Sequence, residues 1–382
     1  MQFKLLNFHR VLANLSTNLT GVFIPIIIYN TTKSLQLTFL YLILAMVLRI
    51  LMVDSLRKLL LKYTHLSNLL RVFPIVLKYL CLIFLNLNFL VMVILYSLFD
   101  ALSMVLKHVP NELIYNYSTF KKGSNTLGTT IMFEKIGQVV ALIFSGFFLD
   151  HFNQNYLLLI SLIIYLISSL PLVIYYYKNR GKTEKEVLRV EDVPLVSKKE
   201  SRMILLRYLF LIVLFSTFDA TPVLFNLLLF INGKTFTVVG IINALFLLMQ
   251  GITSYFVSRN GTYKHIKIVT YISIVILSIA TVSIPFIIDN TILLYINYIV
   301  RGLLNPIVNV YIYSNLLNET RKLGISNKAV MVRLNSIYLG STISFVLPLI
   351  FTIPSSFIGI GILMLFSSVF LSKRREKLVK TS

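Results

Sequence analysis

The sequence predicts an all-α integral membrane protein of twelve transmembrane helices in two pseudo-symmetric six-helix bundles. Three observations lead there. Apolar runs of about 20 residues, the length that crosses a bilayer as a helix, follow one another almost without pause. Basic residues mark one side of those runs. The second half of the chain resembles the first when shifted by 201 residues. Of the 382 residues 57% are hydrophobic and 13% charged, a balance that does not suit a soluble domain of this size. The strands of a membrane barrel would alternate polar and apolar residues, and these runs do not.

In order, the predicted helices are 11–30, 36–56, 69–87, 88–107, 127–149, 156–177, 204–231, 236–257, 266–288, 291–317, 329–351 and 353–372. The longest polar stretch, "KNRGKTEKEVLRVEDVPLVSKKESR", falls between the sixth and seventh. It divides the chain into one bundle at 1–178, a cytoplasmic linker at 179–202, and a second bundle at 203–382 that ends in a short basic tail.

Charge sets the orientation. Thirty of the 36 Lys and Arg lie in the N-terminus, the tail, and the even-to-odd connections together with the helix ends that border them. Only Lys33 and Lys234 lie in the odd-to-even connections, and Arg49, Lys78, Lys135 and Arg301 lie farther inside helices. Both termini are therefore expected in the cytoplasm, with the protein in the cell membrane. A net charge of +22 on a soluble protein would suggest nucleic acid. Here it is spread over loops with no single groove, so no nucleic-acid partner is expected. The central loop and the tail "KRREK" suit anionic headgroups. Cys81 stands alone, which leaves no disulfide within the chain and no second thiolate for zinc. "MQFKLLNFHR" shows no small-residue cleavage site, so no removed signal peptide is expected.

The 201-residue shift places Asn18 on Asp219, Thr20 on Thr221, Lys33 on Lys234, Arg49 on Gln250, Lys58 on Arg259, Asp100 on Arg301 and Gly123 on Gly324. Turns fall on turns and embedded polar groups on one another. Parallel repeats of this kind build transporters with a site between the halves.

Residues four apart stack on one helix face. Asn297, Arg301, Asn305 and Asn309 therefore form a stripe along the tenth helix, and Tyr96, Asp100, Ser103 and Lys107 one along the fourth. The seventh offers Asp219 and Asn226; the first offers Asn14, Asn18 and Thr17. An arginine at mid-bilayer costs about 2.5–3.5 kcal/mol on insertion scales, so Arg301 needs water, an acidic partner or an anionic substrate. Asp100 is the expected partner and Asp219 the second choice. A carboxylate near a movable cation can switch its protonation, which makes Asp219, with Asp100 and Glu134, the candidate proton sites. Arg49 and Lys78 are expected to snorkel, with no function. Phe23, Tyr96, Phe225 and Tyr298 are candidate lining for an aromatic or amphiphilic solute, and Tyr175, Tyr176 and Tyr177 an interfacial anchor.

Six plus six helices, cytoplasmic ends, a long central loop and a parallel repeat together resemble the major facilitator superfamily. That family's signature loop after the second helix reads roughly G-x-L-A-D-R-x-G-R-R. The matching stretch here, "ILMVDSLRKLL", has Asp54, Arg57 and Lys58 but neither glycine. The repeat copy, "VSRNGTYKHIK", keeps Arg259, Gly261 and Lys264 and lacks the acid. The resemblance implies that the first, fourth, seventh and tenth helices line a central cavity. Asn18, Tyr96, Asp100, Asp219, Asn226, Asn297, Arg301 and Asn305 then become candidate substrate contacts, and Asp54, Arg57, Lys58 and Arg259 a gating loop. Neither the family's sugar-porter motif nor, in "GQVVALIFSGF", the glycine-proline motif of its drug antiporters is present, so the resemblance implies no substrate class.

The expected function is a secondary active transporter that moves a small, organic or amphiphilic solute by alternating access, with proton coupling through the aspartates. A flippase for lipids or lipid precursors on the same fold is the alternative. An intramembrane transferase fits less well, because no two deep carboxylates share a local motif and all five histidines lie at helix ends or in loops. No enzyme activity, cofactor or metal is expected. The expected partners are a small solute and the bilayer, with the chain a monomer.

Overall fold

A computed structural model of the chain describes residues 2–62, 67, 69–117, 120–178, 197–259 and 266–372. The elements are α1 (Gln2–Gly21), α2 (Ile24–Thr32), α3 (Leu35–Lys62), α4 (Val72–Ile83), α5 (Phe89–Tyr117), α6 (Phe120–His151), α7 (Gln154–Lys178), α8 (Lys198–Ser216), α9 (Thr221–Ile231), α10 (Phe236–Arg259), α11 (Ile266–Val282), α12 (Ile284–Ile287), α13 (Thr291–Lys322), α14 (Ser326–Ile350) and α15 (Ile353–Ser372). Short 3-10 turns stand at Leu85–Leu87 and Thr217–Ala220.

Among the described residues, eight helical stretches are long and apolar enough to cross a membrane, and three further apolar helices are shorter. This is a multi-pass membrane protein. Four of the twelve predicted spans are not among the eight: 69–87 and 266–288 are interrupted, 353–372 is one of the shorter apolar helices, and 127–149 is described only in part. Span 69–87 shortens to α4 and ends in a 3-10 turn. Span 266–288 breaks at Ser283, next to Pro285 in the first turn of α12. These breaks lie close to 201 residues apart. Predicted span 127–149 falls in α6, whose side chains up to Glu134 lie outside the described residues, as do nearly all of the linker and the basic tail.

Proline chemistry places the interruptions in the first and seventh predicted spans. Pro25 stands in the first turn of α2 and Pro222 at the second position of α9. Proline has no N–H to give the carbonyl four residues back. For Pro222 that carbonyl is Phe218's, and the Thr221 hydroxyl (2.7 Å) and Thr221 N–H take it instead. The break is therefore satisfied locally, as it must be away from water.

The chain forms two compact units. One comprises Met1–Tyr115, Glu134–Glu191 and Leu229–Ala244; the other comprises Asn116–Phe133, Asp192–Leu228 and Leu245–Ser382. In the first, α1 packs along α7, and α4 along α7. In the second, α11 packs on α15 and α13, and α8 on α14. The exteriors of both carry large apolar side chains such as Val140, Leu170, Ile279 and Phe366, as lipid contact requires. Ser and Thr in the interior mostly bond back to their own helix, as Ser97, Thr281 and Thr320 do.

Within the first unit, the start of α10 lies against the end of α6. A Cβ on Gly146 would stand 2.6 Å from the Phe236 carbonyl oxygen, and one on Gly240 2.6 Å from that of Leu142. Only glycine permits backbones so close.

Candidate functional site

The first unit buries a charge cluster. Asp100 on α5 accepts from Arg49 Nη2 of α3 at 2.5 Å and from Lys78 Nζ of α4 at 3.1 Å. All three side chains are buried. Two expectations change here. Asp100, which sequence reasoning paired with Arg301, is held by two cations of its own unit. Arg49 and Lys78, expected to snorkel, point inward instead, because a carboxylate within reach is a better end for a cation than a stretch to the headgroups. The cluster carries a net positive charge. Around it, Ser103 Oγ donates to the Asp100 carbonyl at 2.9 Å, Arg71 Nε donates to the Ser103 carbonyl at 3.1 Å, and Tyr41 meets Tyr96 edge to face at 5.4 Å. Lys107 Nζ reaches Asn14 Oδ1 at 3.4 Å, which brings the polar faces of the first and fourth predicted helices together. Asn18 is half-buried and bonds back to the Asn14 carbonyl.

The second unit buries Arg301 completely. Its Nη2 donates to the Thr221 hydroxyl. Its guanidinium carbon lies 4.6 Å from the centre of the Phe218 ring and 4.8 Å from that of Tyr298. Nε and Nη1 find no acceptor, and the Tyr298 hydroxyl beside them makes no hydrogen bond of ordinary geometry. Behind Tyr298, Phe225 stacks at 4.3 Å and Phe246 meets it edge-on at 5.9 Å.

The rest of the tenth-helix stripe is divided among different partners. Asn297 donates to the Ala280 carbonyl at 2.7 Å and to Ser283 Oγ at 3.1 Å, so its amide ties α13 to the end of α11. Asn309 donates to Asn305 at 2.9 Å. Pro306 follows one turn after Gly302 and leaves the Gly302 carbonyl without its helical N–H. Asp219 sits on the 3-10 break, exposed, bonded to Ser216 and facing the charge of Arg333. Ser216, Asn309, Tyr313 and Arg333 share a small cavity of about 20 Å³. Asn226 is buried on α9. Asp54 is exposed within α3, two turns before its end at Lys62. The side chains of Glu134, Arg57, Lys58 and Arg259 lie outside the described residues.

Three groups escaped the sequence reading. Phe218 and Thr221 complete the Arg301 site, and Thr221 was visible only as a repeat match. Asp150 accepts from the backbone N–H groups of Phe236 (2.9 Å) and Thr237 (2.8 Å) and from the Thr237 hydroxyl (2.5 Å). It thereby caps α10 from another helix. Eighty-six residues separate the partners, and no local pattern signals the contact.

No protein-family model matches the chain, and no curated protein matches it in sequence. Solved structures do. The human organic anion transporter MFSD10 (TETRAN) aligns with a TM-score of 0.66 at 11% identity, over 96% of this chain and 98% of its own. The nucleoside transporter NupG aligns with a TM-score of 0.66 at 16% identity, over 97% and 99%. At these identities the likeness is one of fold.

Proposed function

From the major facilitator superfamily fold of this chain, we infer that it is a secondary active transporter that moves a small organic solute across the cell membrane by alternating access. The observation that carries this reading is the depth of its charges: Arg49, Lys78, Asp100 and Arg301 are all buried inside apolar helices. Each costs several kcal/mol to place there, and a chain that merely filled a bilayer would have no use for them. The two solved likenesses are both named as transporters of small organic solutes, which supports the same reading.

In this proposal the segments 1–178 and 203–382 move against each other, joined by the linker at 179–202. Asn18, Tyr96, Asp100, Asp219, Asn226, Asn297, Arg301 and Asn305 are the substrate-side residues. Asp54, Arg57, Lys58 and Arg259 hold the cytoplasmic ends, and Asp150 holds α10 at the opposite end. Asp219 is the favoured proton site, because it is open at a helix break at membrane depth while Asp100 is already committed to two cations.

A thermal-shift screen of the purified protein against a solute library at two pH values, followed by uptake into proteoliposomes of the solutes that stabilise it, tests the reading. At least one solute should both stabilise the protein and cross the vesicle. If stabilisation comes only from lipid headgroups, the protein is a flippase. Retention of pH-gradient-driven uptake in both Asp219→Asn and Asp100→Asn would end the proton-coupling part.

A further inference from the structure

We propose that the Arg301 site takes the oxyanion of an organic solute, with the guanidinium binding the charged group and Phe218 and Tyr298 flanking it. The inference rests on the transporter reading and names the substrate class of the same site.

The argument starts from what Arg301 lacks. A guanidinium carries five N–H donors and accepts nothing. Thr221 takes one of them through Nη2, while Nε and Nη1, with three N–H groups between them, make no hydrogen bond of ordinary geometry; the neutral Tyr298 hydroxyl is the acceptor nearest to hand and brings no negative charge. The residue has no exposed surface, so solvent does not supply one. Nor, among the described residues, does a carboxylate. Asp100 is occupied by Arg49 and Lys78, and Asp219 faces Arg333 and Ser216. Buried donors left unmatched are costly, more so on a charged group. The two rings ease the charge but give the N–H groups nothing to bond in their plane.

The missing partner is an acceptor of negative charge, and a second feature points to the same spot. Thr221, which touches Arg301, is the first residue of α9, an eleven-residue helix that begins inside the membrane after the Thr217–Ala220 break. A helix start is the positive end of the backbone dipole; here the Thr221 N–H is taken by the Phe218 carbonyl and Pro222 has none, so the dipole and the Thr221 hydroxyl are what this start offers. Discontinuous membrane helices use such half-helix starts to meet anionic substrate groups. Here the half-helix start and an under-bonded arginine converge on one hydroxyl.

A carboxylate, sulfonate or phosphate supplies paired acceptor oxygens that fit the planar fork. The apolar surroundings (Phe218, Tyr298, Phe225 and Phe246) favour an oxyanion attached to an apolar body over a hydrated inorganic ion. The site is closed in this structure, so the rings must part. Phe218 stands on the 3-10 break, where the helix has already given up its regular hydrogen bonding.

The test is a matched panel of aromatic carboxylates, sulfonates and phosphates, each paired with its neutral amide, ester or alcohol, read as thermal shifts of the full chain in detergent. Inorganic phosphate and phosphatidic acid form separate arms. The wild type should be stabilised by anions over their neutral counterparts. Arg301→Gln should weaken that binding on the order of tenfold or more, and Arg301→Lys should restore part of it. If Arg301→Gln does not fold, the anion-over-neutral preference of the wild type and the behaviour of Arg301→Lys decide alone. Equal stabilisation by anions and neutral partners overturns the proposal, and so does a response to phosphatidic acid or inorganic phosphate alone. A neutral or cationic solute that is transported, with no anion active, overturns this inference and leaves the transporter reading standing.

Discussion

Asp100 balances two cations with one carboxylate, and that ratio sets what each substitution does. Asp100→Asn leaves Arg49 and Lys78 buried together with no counter-charge. Stranding a buried charge typically costs about 3–5 kcal/mol, so this variant should be the least stable of the cluster by denaturant titration in micelles. Lys78→Met removes the surplus cation and keeps the Arg49–Asp100 pair, so it should lose far less. Equal losses for the two would mean that Lys78 is as structural as Asp100. The sequence puts Asp100 deep but has Arg49 and Lys78 snorkelling toward the cytoplasmic end, and it pairs neither with Asp100. They stand 51 and 22 residues from Asp100, on three different helices, and helical periodicity says nothing about which neighbour a face meets.

Helix ends and breaks are where the elements acquire function. The first turn of α10 has its N–H groups satisfied by Asp150 of α6, and the glycines at 146 and 240 let the two backbones close. In the proposed cycle this contact joins a helix of segment 1–178 to one of segment 203–382, so it opens once per turnover. Asp150→Ala removes the cap, a loss of about 1 kcal/mol by comparison with ordinary helix caps. Gly240→Ala forces a Cβ onto the Leu142 carbonyl. Both should favour the open end. With Cys81→Ala as background, a cysteine at Asn153 should label faster with an impermeant maleimide in either variant than in the parent. Unchanged labelling would mean that the contact is static. The helix break at Thr217–Ala220 was partly legible, since "TFDATP" carries the proline that forces it, but the sequence reading ran one helix through from 204 to 231. A run of apolar residues on both sides conceals a break that costs no hydrophobicity.

The membrane orientation belongs to the whole molecule. In the proposed orientation, drawn from the positive-inside asymmetry, both termini lie in the cytoplasm. Fluorescent-protein fusions at either terminus should fluoresce in cells, and alkaline-phosphatase fusions there should be inactive; the reverse would invert the topology. The sequence by itself determined the membrane, the succession of apolar helices and which helices carry charge. Composition, hydrophobic run length and the placement of Lys and Arg are local properties, each read within a window of about one helix. Only the tertiary structure decided which charges meet. It gave Asp100 to Arg49 and Lys78, seated Arg301 between Phe218 and Tyr298, and set Asp150 on the start of α10. Those contacts depend on how helices rotate and cross, and burial energy fixes that through neighbours far apart in the chain.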